Sequence, residues 1–566
     1  MVALLEERAR SAPHDCALRF LSDRGKLEAE LSFADLHMKS AAVAQDLLAR
    51  GAQPQDRALL LFPPGIEFLI AWFGCLYANV IAVPLMPPRR TGGRDSSAAI
   101  IADCAPRFAF TTSSFVSAIR EDMIARFADF QLDWLMIDVD EAGVEGQAPV
   151  HCDPSDIAFL QYTSGSTADP KGVMVSHANL IANLEMIRQA FGNDKRSTYL
   201  SWVPLYHDMG LILNVLQAIY AGATTILMSP VSFLQRPLLW LRAIADFKAE
   251  VAGGPNFAFD HCIARFQPSQ MDGVDLSGWK VAFNAAEPVR AGTLARFAET
   301  FAPYGFDAHA FHPCYGMAEA TVLMSSGPRG RGTIVRKVSK AALQEQRADM
   351  PADASDMQPI VGCGTAASGT TIAIVDPQSR QELPPLHIGE IWAKGPHIAR
   401  GYWRKPEATT EIFGAETADK PGDTWLRSGD LGFLDANGEL YIAGRIKDVI
   451  IVRGRNYYPQ DIEHTAQMAD AALRPGFGAA FTITDAEGLE RLIIVQEVER
   501  TQRNRTDLND VAGNIREAVA EVHELSVFRV VLVGPGTVPK TTSGKIQRRL
   551  TRQLWQDAAL EILLQL

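Results

Sequence analysis

The chain has 566 residues, a length that allows about three or four domains of ordinary size. With 47% hydrophobic and 21% charged residues it has a globular composition, which excludes a disordered, collagen-like or coiled-coil chain. The net charge of -12 argues against nucleic acid as a partner, because such binders present a basic face.

In chain order, Glu6 and Glu7 stand where an export signal needs an apolar run, so no leader is expected. Residues 34–51 repeat their apolar positions with a helical period. Residues 68–86 run for 19 positions without a charge, long enough to cross a bilayer. Gly74, Asn79 and Pro84 interrupt that run. They predict a buried helix over about 66–78 and a buried strand ending at Pro84, not a membrane span. Up to about residue 440, helical patterns alternate with short β-branched runs such as 224–230, which predicts α/β architecture with largely parallel sheets. Residues 327–358 are polar and poor in large apolar groups, which predicts an insertion on the surface.

Strand-like segments then crowd together at 370–376, 389–395, 439–445 and 448–454. This predicts a small β-rich subdomain over about 360–446, completing a large α/β domain of residues 1–446 whose remainder forms two α/β subdomains. Residues 447–566 mix strands (491–498, 528–534) with helices and form a smaller α+β domain. That domain holds 15 Lys+Arg against 16 Asp+Glu, so nearly all of the net negative charge lies before it. The seven cysteines are dispersed without a C-x-x-C pair, which fits a reducing compartment and a cytoplasmic protein.

The strongest local signal is Tyr162-Thr-Ser-Gly-Ser-Thr-Ala-Asp-Pro-Lys-Gly172, between a strand-like run and a helical pattern starting near Ser176. Small hydroxyl residues and glycines let backbone N–H groups approach a polyphosphate, and Lys171 adds a cation. It is not a Walker A loop, since Pro170 stands where the second glycine is required. Three other patterns carry no chemistry. Gly362-Cys-Gly-Thr-Ala-Ala367 is followed by a strand where a dinucleotide fold needs a helix. His523-Glu524 lacks the second histidine of a zinc helix, and Ser164-Gly-Ser166 is not a nucleophile elbow.

The loop resembles the phosphate loop of the adenylate-forming superfamily: acyl-CoA synthetases, luciferases, adenylation domains and fatty acyl-AMP ligases. Four further blocks follow in that superfamily's order: Tyr315-Gly-Met-Ala-Glu319, Arg427-Ser-Gly-Asp430-Leu-Gly, Gly444-Arg445-Ile-Lys447-Asp448 and Pro539-Lys-Thr-Thr-Ser-Gly-Lys545. Within it, Leu205-Tyr-His-Asp-Met-Gly-Leu211, Gly254-Pro-Asn-Phe257, Asn284-Ala-Ala-Glu-Pro-Val-Arg290 and Val452-Arg-Gly-Arg-Asn-Tyr-Tyr-Pro-Gln-Asp461 are similar to fatty acyl-AMP ligases. Residues 327–358 fall where those ligases carry an insertion. Ala285 departs from the pattern, which usually has glycine there.

The resemblance implies activation of a medium- or long-chain fatty acid with ATP and Mg²⁺, giving an acyl-adenylate and pyrophosphate. The acyl group then passes to the phosphopantetheine thiol of an acyl carrier protein or of a polyketide or peptide synthase. Two anions must meet, so cations and donors are needed where charge develops. Thr163, Ser164, Gly165, Ser166 and Thr167 would cradle phosphates beside Lys171. Glu319, with Thr167, would hold the metal, a hard ion that prefers oxygen ligands. Tyr315 offers a ring face to adenine, with Gly316, Met317, Ala285, Ala286 and Glu287 nearby. Asp430 would accept from both ribose hydroxyls, and Arg445 would reach the ribose or α-phosphate. Lys545 would swing in from a mobile C-terminal lid about a hinge at Lys447. His207, Asp208, Met209, Leu211 and Ile212 are candidates for the acyl site, although an apolar run of this kind reads equally as a core helix. Arg453, Arg455, Arg548 and Arg549 could face an acidic carrier. The alternatives are an acyl-CoA synthetase using free CoA and a non-catalytic nucleotide- or acyl-binding relative.

Overall fold

Short β-branched and aromatic runs, each followed by an amphipathic helix, build two large sheets in the first part of the chain. The computed structural model describes residues 1–87, 97–117, 127, 130–138, 150–163, 170–452, 455–485, 490–504, 507–541 and 544–566. A six-stranded sheet orders Asp133–Met136, Phe108–Thr111, Arg57–Leu60, Ile81–Pro84, Ile157–Thr163 and Lys171–Ser176. All its pairs are parallel except the last, an antiparallel hairpin. A nine-stranded sheet has a parallel centre (Phe311–Tyr315, Val281–Asn284, Val251–Gly254, Thr198–Ser201, Thr224–Met228, Cys16–Leu21) and antiparallel edges.

The uncharged run is the buried helix Glu67–Tyr77 and the buried strand Ile81–Pro84. It crosses the helix Phe33–Ala49 at Gly74, where a Cβ would lie 2.4 Å from Val43 Cγ1, so only glycine permits that approach. Among the described residues, no helix is long and apolar enough to cross a membrane. After the phosphate-loop hairpin, Ser176 caps the helix His177–Phe191 through a capping box with Asn179, and Gly192 closes it with φ 62°.

The β-rich part is a five-stranded sheet built on Thr371–Val375, Gly389–Lys394, Thr424–Leu434, Leu440–Arg445 and Ala415–Glu416. The polar stretch before it is more than a surface loop. Strands Val335–Ser339 and Met357–Val361 pair as a hairpin, and Val338, Leu343 and Ala348 pack into a buried cluster with Phe433, Tyr441 and Tyr458. Its sequence hides this because the apolar residues are few and far apart. The C-terminal part has a four-stranded sheet of Leu473–Thr484, Glu490–Val498, Val527–Val533 and Ile562–Gln565. Pro459–Met468 and Leu508–His523 cover one face, and Arg548–Gln556 covers the other.

Candidate active site

Open α/β sheets bind ligands in the crevice beyond the carboxyl ends of their strands. Eight of the singled-out residues lie there. Ala285, Ala286 and Glu287 follow Val281–Asn284; Gly316, Met317 and Glu319 follow Phe311–Tyr315; His207 and Asp208 follow Thr198–Ser201.

Lys171 opens its strand directly opposite Thr163 across the hairpin, and its Nζ sits 4.9 Å from the centre of the Tyr402 ring. Ser164, Gly165, Ser166 and Thr167 lie outside the described residues, as does the side chain of Thr163. Gly316 has no room for a side chain, since a Cβ would lie 1.7 Å from the Val322 carbonyl oxygen. The short 3-10 turn Ala318–Ala320 then turns Glu319 inward, to 8% exposure. Tyr402 donates its hydroxyl proton to Glu319 Oε1 at 2.8 Å, and the Ala399 amide donates to the Glu319 carbonyl at 2.9 Å. Burial pushes the Glu319 carboxyl above its ordinary pKa, with the Tyr402 bond pulling the other way.

Asp430 ends a tight turn on the neighbouring β-rich sheet. Tyr315 donates to its Oδ2 at 2.8 Å, and Arg445 Nε donates to its Oδ1 at 2.9 Å. Tyr315 is itself buried, at 9% exposure, and sits among apolar neighbours of that sheet.

Lys545 comes from the C-terminal part on a hairpin closed by Thr541 N–H to Lys545 O at 2.7 Å and Lys545 N–H to Thr541 Oγ1 at 3.0 Å. Gly544 has φ 87°, and a Cβ there would lie 3.3 Å from the Phe257 ring, so the hairpin rests on the large domain. Phe257 N–H donates to Glu287 Oε1 at 2.6 Å, so Glu287 satisfies an amide in the first turn of the helix Asn256–Ala264, whose N-cap, Pro255, offers no side-chain acceptor. Ala286 takes a left-handed φ of 70° to bring Glu287 there; the strained position is this one, not Ala285. Burial, and then Arg445, lower the Lys545 pKa, while Asp430, Asp208 and Glu287 oppose them. These five groups therefore form one electrostatic cluster. Burial also works against the Asp208 carboxylate, but His207, the Met209 amide and Lys545 outweigh it and hold its pKa below the ordinary value.

The chain matches the AMP-binding enzyme family over residues 5–403 and the Disco-interacting protein 2-like AMP domain over residues 447–565. It is 40% identical to the medium-chain-fatty-acid–acyl-carrier-protein ligase JamA of Moorena producens, over 99% of this chain and 96% of that protein. The chain belongs to the AMP-binding enzyme family. Its fold is that of the fatty acyl-AMP ligases. The Legionella pneumophila fatty acyl-adenylate ligase in complex with acyl adenylate and pyrophosphate superposes with a TM-score of 0.76 at 37% identity, covering 100% of this chain and 97% of that one. A structure from a study of the Escherichia coli and L. pneumophila fatty acyl-adenylate ligases gives 0.86 at 30% identity, covering 98% and 97%.

In this AMP-binding enzyme some singled-out residues stand apart from the cluster. Lys447 lies exposed on the turn Ile446–Asp448. Met209, Leu211 and Ile212 belong to a buried π-helical stretch, Met209–Leu216, capped by Asp208, and Leu211 and Ile212 have no exposed surface. Arg548 is not a surface cation. It is partly buried, paired with Glu463 at 2.6 Å and Asp448 at 2.8 Å. Arg453 lies outside the described residues, Arg455 leans toward Gln344 at 3.4 Å, and Arg549 is exposed. Two residues at the site were not singled out by sequence. Tyr402 touches both Glu319 and Lys171, and Glu390 holds the turn before Asp430. Only the aromatic residue after Gly401 and the lone acid in an otherwise apolar strand hinted at them.

Proposed function

We propose that this enzyme activates a medium- or long-chain fatty acid with ATP and transfers it to a phosphopantetheine thiol on a carrier protein. The observation that carries the reading is the seating of the Lys545 hairpin against Phe257 of the large domain, which puts the ammonium within electrostatic reach of Asp430, Arg445, Asp208 and Glu287. In the first step a carboxylate oxygen of the fatty acid bonds to the α-phosphorus of ATP, and the bond to the pyrophosphate oxygen breaks. Lys545 sets a positive charge where the two anions meet. Asp430 exchanges its Tyr315 and Arg445 partners for the ribose hydroxyls, which frees Arg445 to face the phosphate. Lys171 and the loop 163–167 hold the pyrophosphate side.

The donor set fits a magnesium ion. Glu319 is one buried hard-oxygen ligand, and no cluster of three His, Cys, Asp or Glu exists among the described residues. That suits an ion that takes its remaining ligands from phosphates and water. Bound there with Thr167, it would supply positive charge to the phosphates.

The insertion supports a carrier thiol over free CoA. Gln358 donates to Asp461 Oδ2 at 2.9 Å, and Asn456 donates to the Gln344 carbonyl at 3.3 Å, so the hairpin 335–361 ties the lid to the large domain. Arg290 to the Gln460 carbonyl, at 3.2 Å, adds a further tie. The JamA name supports the same acceptor. The seven cysteines are free thiols, in keeping with a cytoplasmic enzyme. The test is ATP–pyrophosphate exchange across fatty acids of increasing length, each followed by loading of a phosphopantetheinylated carrier. Exchange with a band of chain lengths is expected. Exchange with no fatty acid would contradict the proposal, and acyl-CoA formed as fast as acyl-adenylate would replace the acceptor.

A further inference from the structure

We propose that Tyr402 is a positioning residue that locks the Glu319 carboxylate and the Lys171 ammonium into one unit, so that metal and phosphate are presented together. The proposal rests on the reading of Glu319 as the magnesium ligand.

Residues 399–403 run as a strap between two parts of the site. At one end the Ala399 amide holds the Glu319 carbonyl at 2.9 Å. Along the strap, Met174 N–H donates to Gly401 O, Arg400 N–H to Met174 O and Trp403 N–H to Gly172 O, at 2.8–2.9 Å. Tyr402 forms a bridge opposite Val173. The strap is thus an added edge of the phosphate-loop hairpin, two residues from Lys171. Gly401 has φ 121°, and a Cβ there would fall 2.3 Å from Thr409 Cγ2, so the turn into Tyr402 requires glycine. Thr409 Oγ1 accepts from the Tyr402 amide at 2.9 Å, and Phe413 meets the ring edge-on at 5.2 Å.

Tyr402 is 6% exposed, and a buried phenol needs a hydrogen-bond partner. An ordinary core tyrosine would find a carbonyl. Here the hydroxyl finds Glu319 at 2.8 Å, and the ring face lies under the Lys171 ammonium at 4.9 Å. The two charges come from different sheets and share one rigid side chain. Donation to one oxygen fixes the rotation of the carboxylate and would leave its other oxygen for the metal. The ring face holds the ammonium, and no carboxylate among the described residues pairs with it, which leaves its charge for phosphate.

Tyr402→Phe keeps the ring and removes the donor. The readout is Mn²⁺ binding in the presence of ATP without fatty acid, followed by electron paramagnetic resonance. Affinity is expected to fall about tenfold or more, the cost of losing an outer partner of a metal ligand. The KM for fatty acid and the melting temperature should stay close to those of the unaltered enzyme. Tyr402→Leu also removes the ring and should raise the KM for ATP beyond that of Tyr402→Phe. Glu319→Gln sets the scale and should weaken Mn²⁺ at least as much. Full Mn²⁺ affinity in Tyr402→Phe, with a loss in Glu319→Gln, would overturn the proposal alone. Full affinity in both would overturn the metal reading with it.

Discussion

In the proposed reaction Lys545 is the residue on which the chemistry turns, and its charge state can be followed. Burial and Arg445 lower its pKa from the ordinary 10.5. The first step needs the ammonium form. kcat/KM for adenylation reports the free enzyme, so it is expected to fall as pH rises, with a midpoint below 10.5. Bound phosphates favour the charged form, so the corresponding limb of kcat should lie higher. Lys545→Arg stays charged at every accessible pH, so whatever activity it keeps should lose this limb. A limb that persists in that variant would belong to another group, with Lys540, which burial pulls down to about 8, the next in line. Lys545, Asp430, Arg445 and Glu319 were singled out from the sequence because each sits inside a short block that resembles the adenylate-forming superfamily. Tyr402 was not, because Glu319 lies 83 residues away. Arg548 misled for the same reason: its partners are 85 and 100 residues away, and a helix in a basic stretch reads as a solvated face.

At the scale of elements, buried runs bounded by glycine and proline gave Glu67–Tyr77, Ile81–Pro84 and Thr371–Val375 to within a few residues. The π-helical stretch Met209–Leu216 was not legible, since an apolar run has no period that tells one helix from another. Nor was the brace behind Asp430. Glu390, at 2% exposure, accepts from Arg427 at 2.7 and 2.9 Å, from Trp392 Nε1 at 3.0 Å and from Gly429 N–H at 3.1 Å. It therefore fixes the turn that aims Asp430. Breaking a buried ion pair from one side typically costs about 3–5 kcal/mol, so Glu390→Ala should destabilise the fold on thermal unfolding. Glu390→Gln keeps the shape and loosens the turn. It is expected to raise the KM for ATP and to narrow the preference for ATP over 2′-deoxy-ATP in the exchange assay. An unchanged preference, alongside a clear loss of it in Asp430→Ala, would mean that the brace does not set the ribose contact.

For the whole molecule, the question is what keeps the lid seated. A hydrogen bond contributes about 0.5–1.5 kcal/mol, so Gln358→Ala should unseat the lid only partly, slowing adenylation by up to about tenfold. Deleting residues 333–356 removes Gln344 and the strand that pairs with the Gln358 strand, and is expected to let acyl-CoA form. Continued exclusion of CoA would place the barrier elsewhere. The alternation of helical patterns with short β-branched runs anticipated an α/β body, and the mix of strands and helices after residue 446 anticipated a smaller α+β end. The packing of the insertion into a buried cluster with Tyr458 was hidden, because its few apolar residues find their partners only in three dimensions. The most direct measurement separates the two half-reactions in Lys545→Ala. Fatty-acid-dependent ATP–pyrophosphate exchange is expected to drop about 10²–10³-fold, the cost of one preorganised donor, while transfer from supplied acyl-adenylate to a carrier thiol persists. Exchange at the unaltered rate would contradict the account.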